Sequence, residues 1–195
     1  MAIALVSIRI ELREILLKDR PKELYEISSK GTVPVMHFND GKIIDESLDI
    51  MLWANDYGNL SLLIDEIFQM KLIRKNDDEF KYWLDRYKYF DRYLENPYSY
   101  YQQKCSIYLK KYEYLLKTSK YFISNKMQLV DIAIFPFIRQ CANVDRVWFE
   151  DNYKKLNCWL IEFEKSSLFQ SVMTKYPQWK KNDDPILISY PINDT

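Results

Sequence analysis

Histidine is almost missing from this sequence of 195 residues: His37 is the only one. Cysteine is little better represented, with Cys105, Cys141 and Cys158 far apart and no CxxC pair. Together these scarcities exclude a zinc site and a disulfide framework, and they fit a reducing compartment. Formal net charge is zero, so the chain as a whole offers neither nucleic acid nor an anionic membrane a footprint. No apolar run approaches the roughly 20 residues of a membrane span, and the first residues lack the order of a signal peptide. The expectation is a cytoplasmic protein with no membrane and no nucleic-acid partner. Glycine is scarce as well: Gly31, Gly41 and Gly58 are the whole supply, all near the start. Turns therefore crowd into the first part, and helices are expected to fill the rest.

What is present divides along the same line. "IRIELREIL", from Ile8, alternates apolar and charged residues with the period of a half-buried strand. "KGTVPVMHF" and "KIIDE" flank Asn39-Asp40-Gly41, a hairpin signal that makes His37 a strand residue beside the turn. "SLDIMLWA" then reads as a helix. Further on, Trp83, Tyr87, Phe90 and Leu94 form one apolar stripe at helical spacing, and Tyr101, Cys105, Tyr108, Tyr112 and Leu115 form another, with Pro97 between them. "LVDIAIFPFI" is apolar nearly all round, as a central bundle helix must be. Its Asp131 stands where it can reach back to a cap at Gln128, although Gln is not the favoured cap residue and only half of the reciprocal pair is expected. Pro136 should kink this helix or lie where a lost hydrogen bond is tolerated. Helices over Tyr153–Lys165 and Leu168–Lys175 follow, then a polar, proline-spaced tail.

The basic side chains concentrate in the middle, thirteen against seven acidic over 71–126. The tyrosines and lysines of 81–121 could in principle form a platform for single-stranded nucleic acid, but the aromatics fall at helix-core spacing and the basic excess is modest.

Two small features carry chemistry. Pro34 interrupts the apolar run between Val33 and Val35, where a central strand does not accept proline. Either it ends a strand in a turn, or a cis Val33-Pro34 bond leaves the Val33 main chain free to pair with an extended peptide. Glu46 and Ser47 open the next helix: free N–H groups and a hydroxyl suit a carboxylate, and the acidic neighbour suits an ammonium. The alternative is a plain helix cap at Asp45 or Ser47.

"GTVPV", "DESLDIM", "LVDIAIFPFIRQ" and "LFQSVMTKYPQW", in this order, resemble the cytosolic glutathione S-transferases, in the bacterial branch similar to the omega class. The resemblance implies an α/β plus all-α fold: an incomplete thioredoxin-like domain over 1–57 that binds glutathione, an all-helical C-terminal domain over 58–180, and an extended tail over 181–195. It implies a transferase that conjugates glutathione to a small electrophile or exchanges thiols with a disulfide, as a homodimer without metal. Carried over by position, Val33 beside a cis Pro34 pairs with the cysteinyl part of glutathione, Glu46 and Ser47 hold its γ-glutamyl end, and Arg20 adds a contact, unless Arg20 is only a solvated charge. Asp131 matches the family's helix cap. Family members open with a strand and a turn bearing the catalytic cysteine, serine or tyrosine, ahead of a helix like "MAIALVSIRIEL". This sequence begins within that helix, so the reading expects a truncated N-terminus and assigns no catalytic residue; Ser7 comes too late, and the three cysteines lie among helices. The rival is a non-catalytic binding or dimerisation module. Without the first strand, residues 8–15 should be either displaced or paired directly with Val33–Phe38.

Overall fold

The computed structural model describes residues 1–190, and the chain falls into two compact units. The first joins Met1–Leu60 to the segment from Ser167 onward; the second is Ser61–Ser166. Grouping the last segment with the first sixty residues is a matter of contacts that sequence order does not display.

In the first unit a 3-10 turn, Ile3–Leu5, leads into strand β1, Ile8–Leu12. Alternate residues of β1 are half-buried and exposed, as its apolar–charged alternation requires. Helix α1, Lys22–Ile27, starts after Pro21, a residue that leaves no backbone donor unsatisfied there. Strands β2, Met36–His37, and β3, Ile43–Ile44, pair antiparallel, Met36 opposite Ile44 and His37 opposite Ile43. Their turn is the expected one: Gly41 takes φ +88°, Gly41 N–H donates to Phe38 O at 3.0 Å, and Lys42 N–H donates to Asp40 Oδ1 at 2.9 Å. Helix α2, Ser47–Gly58, ends on Asn59 in the left-handed region (φ 49°), which asparagine tolerates better than most residues. It packs Ala54 against Ala2 and Val6, flanked by Ile8, Met51 and Trp53. Gly58 lies so close to Val6 that a side chain there would meet it.

The second half of the first unit comes from the far end of the chain. Helix α9, Ser167–Ser171, is shorter than the expected Leu168–Lys175. The following segment lies along residues 13–23: Trp179 N–H donates to Glu14 O at 2.7 Å, the Arg13 guanidinium stands 4.9 Å from the Trp179 ring centroid, and Lys181 pairs with Glu23 at 3.2 Å. Strand β4, Ile186–Tyr190, then pairs antiparallel with β1 from Ile8↔Tyr190 to Leu12↔Ile186. Of the two alternatives for residues 8–15, displacement is what occurs, and the partner is a strand within the stretch read as a tail. Ile188 explains why this part of the tail does not stay in solvent: it is buried on the sheet face. Residues 191–195 of the expected tail lie outside the described residues.

The helical unit opens with α3, Glu66–Lys75, capped by Asp65, whose carboxylate accepts from Phe68 N–H at 3.3 Å. A π-helical turn, Asn76–Phe80, carries the helix on into α4, Lys81–Lys88. The buried residues along this run are Gln69, Leu72, Ile73, Asn76, Phe80, Leu84 and Tyr87. The expected stripe is thus corrected. The chain leaves the helix at Tyr89, so Phe90 and Leu94 turn outward, Leu94 to 86% exposure. Helix α5, Tyr98–Leu115, begins after Pro97 and buries Tyr101, Cys105, Tyr108, Leu109 and Tyr112. Helix α6, Leu129–Ala142, is buried nearly all round and runs through Pro136. Helices α7, Arg146–Asn152, and α8, Lys154–Lys165, complete the unit. The Trp159 ring of α8 meets those of Phe122 and Phe163 in tilted contacts, with centroids 4.8 Å away in each case. Among the described residues no helix is long and apolar enough to cross a membrane.

The start of α6 is a buried polar knot. Asp131, wholly buried, accepts from Gln128 N–H at 2.9 Å and from Phe122 N–H at 3.0 Å. Gln128 faces the third-position backbone, so the capping box is reciprocal in outline where only half was expected; its Oε1 also accepts Ile64 N–H at 3.3 Å. Gln69 completes the knot, donating to Leu62 O (3.1 Å) and Ile64 O (2.6 Å) and accepting from Val130 N–H (3.0 Å).

Candidate functional site

The candidate site lies in the first unit, on the turn Ser28–Pro34 and the opening of α2. Gly31 holds the turn at φ +59°, with its N–H donating to Ser28 O at 3.0 Å. The Val33-Pro34 peptide bond is cis, as the resemblance implies. Val33 is 45% exposed, and among the described residues neither its N–H nor its C=O has a hydrogen-bond partner. Those two groups can pair with the main chain of an extended peptide.

Glu46 is the residue just before α2 and Ser47 the first in it. Neither serves as a side-chain cap, so the plain-cap alternative is not realised at Ser47. The N–H groups of Ser47, Leu48 and Asp49 have no partner among the described residues, which leaves the positive end of a 12-residue helix open to an anion.

Sequence reasoning missed a cation at the centre of this arrangement. Lys30 Nζ lies 2.5 Å from Glu46 Oε1 and 3.1 Å from Asp45 Oδ1. Asp45 in turn accepts from Ser28 Oγ at 2.7 Å, so the turn and the helix start are tied by one chain of polar contacts. The bond from Ser28, followed by that from Lys30, holds the Asp45 carboxyl below its usual range; Glu46 first and Asp45 second hold the Lys30 ammonium above its own. The signal was present as opposite charges on either side of the hairpin, but nothing local says that Lys30 turns toward Glu46.

Lys30, Asp45 and Glu46 are thus brought together, with Val33 and Pro34 three and four residues along the same turn. Arg20 is exposed on the loop before α1, and no hydrogen bond or ion pair among the described residues joins it to the others. All three cysteines lie in the helical unit; Cys105 and Cys141 are buried and only Cys158 is exposed. Contact with the Cys105 thiol, together with burial, pushes the Cys141 thiol well up, which makes it a poor nucleophile. A surface depression of about 380 Å³ on the helical unit, floored by Phe68, Leu115 and Phe122, contains none of the candidate residues. Among the described residues no three His, Cys, Asp or Glu side chains gather as metal ligands would.

Comparison with known proteins bears on most of the chain. Residues 1–56 match the glutathione S-transferase N-terminal domain family and residues 94–166 the glutathione S-transferase C-terminal domain family. The structure is similar to a glutathione S-transferase of class Gtt2 from Vibrio parahaemolyticus, with TM-score 0.63, 20% identity and 81% of each chain covered. It is similar to one from Rhodospirillum rubrum F11, with TM-score 0.65, 17% identity, 87% of this chain and 81% of that one. A third, glutathione S-transferase-I bound to lactoylglutathione, gives TM-score 0.64 at 16% identity over 78% of each chain. At such identities the likeness is one of fold. No curated protein sequence matches the chain.

Proposed function

The chain belongs to the glutathione S-transferase family, with a thioredoxin-like domain followed by a helical one, and from that premise we propose that it binds glutathione in the cradle between Val33 and the start of α2. The observation that carries this reading is the pairing of an open main chain at Val33 with an open helix terminus at Ser47. The cysteinyl residue of the tripeptide pairs with Val33 N–H and C=O beside Pro34. The γ-glutamyl carboxylate takes the free N–H groups of α2 and the Ser47 hydroxyl, and Glu46 receives the ammonium. Arg20 supplies a further cation toward the same ligand. We place the protein in the omega-like branch, as a cytoplasmic homodimer that conjugates glutathione to a small electrophile or transfers thiols from a disulfide.

Binding and turnover separate here. The cradle's residues orient the tripeptide, but none of them activates its thiol, and no catalytic residue is assigned. All three cysteines lie in the helical unit, so none is offered as the activating group, and the second reading is a binding or dimerisation module that holds glutathione without turning it over.

Titration calorimetry with glutathione tests the first step, and assays with a chloro-aromatic and a mixed disulfide test the second. Saturable heat is expected from the native protein, weakened roughly tenfold by Ser47→Ala, since a hydrogen bond to a charged group is lost. No heat from well-folded protein would remove the cradle. Heat without turnover selects the module.

A further inference from the structure

The ion pair between Lys30 and Glu46 occupies the carboxylate that the ligand's ammonium needs. Its surroundings are strongly acidic: Asp45, Glu46 and Asp49 lie within five residues at the start of α2, with Lys30 as the cation bonded to two of them. Left without Lys30, these three acids would oppose the approach of any carboxylate to the helix terminus. Both partners of the pair are well exposed, with side chains 47% and 59% accessible for Lys30 and Glu46. An ion pair so open to water contributes little net stability and exchanges easily. Asp45, by contrast, keeps a second bond from the buried Ser28, so it can hold Lys30 in place when Glu46 lets go.

Resting on the proposed glutathione site, we propose that Lys30 is a specificity-determining residue that makes the cradle demand a zwitterion. An incoming γ-glutamyl group exchanges one ion pair for two: its ammonium takes Glu46, and its α-carboxylate takes the released Lys30 Nζ. A ligand with an ammonium but no α-carboxylate separates Lys30 from Glu46 and offers it nothing in return. A ligand with the carboxylate but no ammonium leaves Glu46 and Lys30 paired and faces the acids directly. Selectivity for the free amino-acid end is therefore set by a residue on the turn, outside the helix that receives that end.

Calorimetry decides this with three ligands: glutathione, the analogue in which 4-aminobutanoate replaces the γ-glutamyl group and so lacks the α-carboxylate, and the glutaryl analogue that lacks the ammonium. Native protein is expected to prefer glutathione to the 4-aminobutanoyl analogue by about tenfold or more, the size of one charge-assisted contact. Lys30→Met should weaken glutathione roughly fivefold while leaving the 4-aminobutanoyl analogue unweakened, so that a roughly tenfold preference falls to about twofold. Lys30→Arg, which keeps the cation, should restore most of the preference. If Lys30→Met keeps the native ratio, or weakens both ligands equally, Lys30 is only a surface ion pair and the proposal is overturned. If native protein binds none of the three, the glutathione site itself falls; heat with glutathione and an unchanged ratio sinks the role of Lys30 alone.

Discussion

The two units hold themselves together in opposite ways. The helical unit places its polar chemistry inside, where Asp131 and Gln69 are fully buried and serve backbone groups from several segments. In the first unit the polar chemistry lies on the surface, in the Lys30–Asp45–Glu46 contacts and in an end-to-end strand pairing. Buried hydrogen bonds are costly to break because each orphaned group loses water as well as its partner. Exposed ion pairs are cheap to rearrange.

The largest expected effect tests the scaffold. Asp131→Ala orphans the N–H groups of Phe122 and Gln128 and should cost about 4 kcal/mol in a urea titration. A loss below about 1 kcal/mol would show that the knot is incidental, since that is the size of an ordinary exposed contact. The same residue predicts a pH dependence. Burial, partly offset by the bonds from Phe122 and Gln128, raises the Asp131 carboxyl to about 6. Its folded-state value thus lies above the unfolded one, so its contribution is full below about pH 4 and is lost as pH rises through 6. Comparing native protein with Asp131→Asn over that range should show the native advantage shrinking with rising pH, and a constant difference would contradict the assignment.

Next in size, Gln69→Leu keeps the volume but takes the partner from Ile64 O and Val130 N–H, while Leu62 O keeps its bond from Leu129 N–H. About 3 kcal/mol should be lost from the helical unit, read by the same titration. Removing residues 185–195 takes away β4 and should cost the first unit about 2 kcal/mol. Hydrogen exchange is the discriminating measurement: amides of β1 should lose protection while those of α5 and α6 keep it. Equal loss in both units would erase the contrast between them.

The smallest effect is expected at Gly31→Ala, about 1 kcal/mol from the positive φ. The added methyl meets the Tyr25 ring, but Tyr25 is 48% exposed and can swing away. A melting shift as large as that of Gln69→Leu would mean that the turn is not the yielding surface described above.

Much of this was legible without coordinates. Asn39-Asp40-Gly41 specified its hairpin because only a few residue types accept a positive φ. Pro97 marked the start of α5, and the all-round apolarity of 129–138 marked a buried helix. Val33-Pro34 was singled out because proline has no place inside a ladder. The stripe through Phe90 and Leu94 misled, since periodicity continues in sequence after the helix has ended at Tyr89.

What the sequence determined by itself is therefore the set of local elements: which stretches coil, which turn, and which face of each is apolar. These follow from forces acting over a few residues, namely rotamer freedom, caps and alternation. Tertiary structure alone decided that β1 pairs with Ile186–Tyr190, that Gln69 reaches Val130, and that Lys30 turns to Glu46. Each such choice joins residues far apart in the chain, and several partners of equal local merit were available. Only the path of the folded backbone, set by how the whole apolar surface is buried, brings one of them within bonding distance.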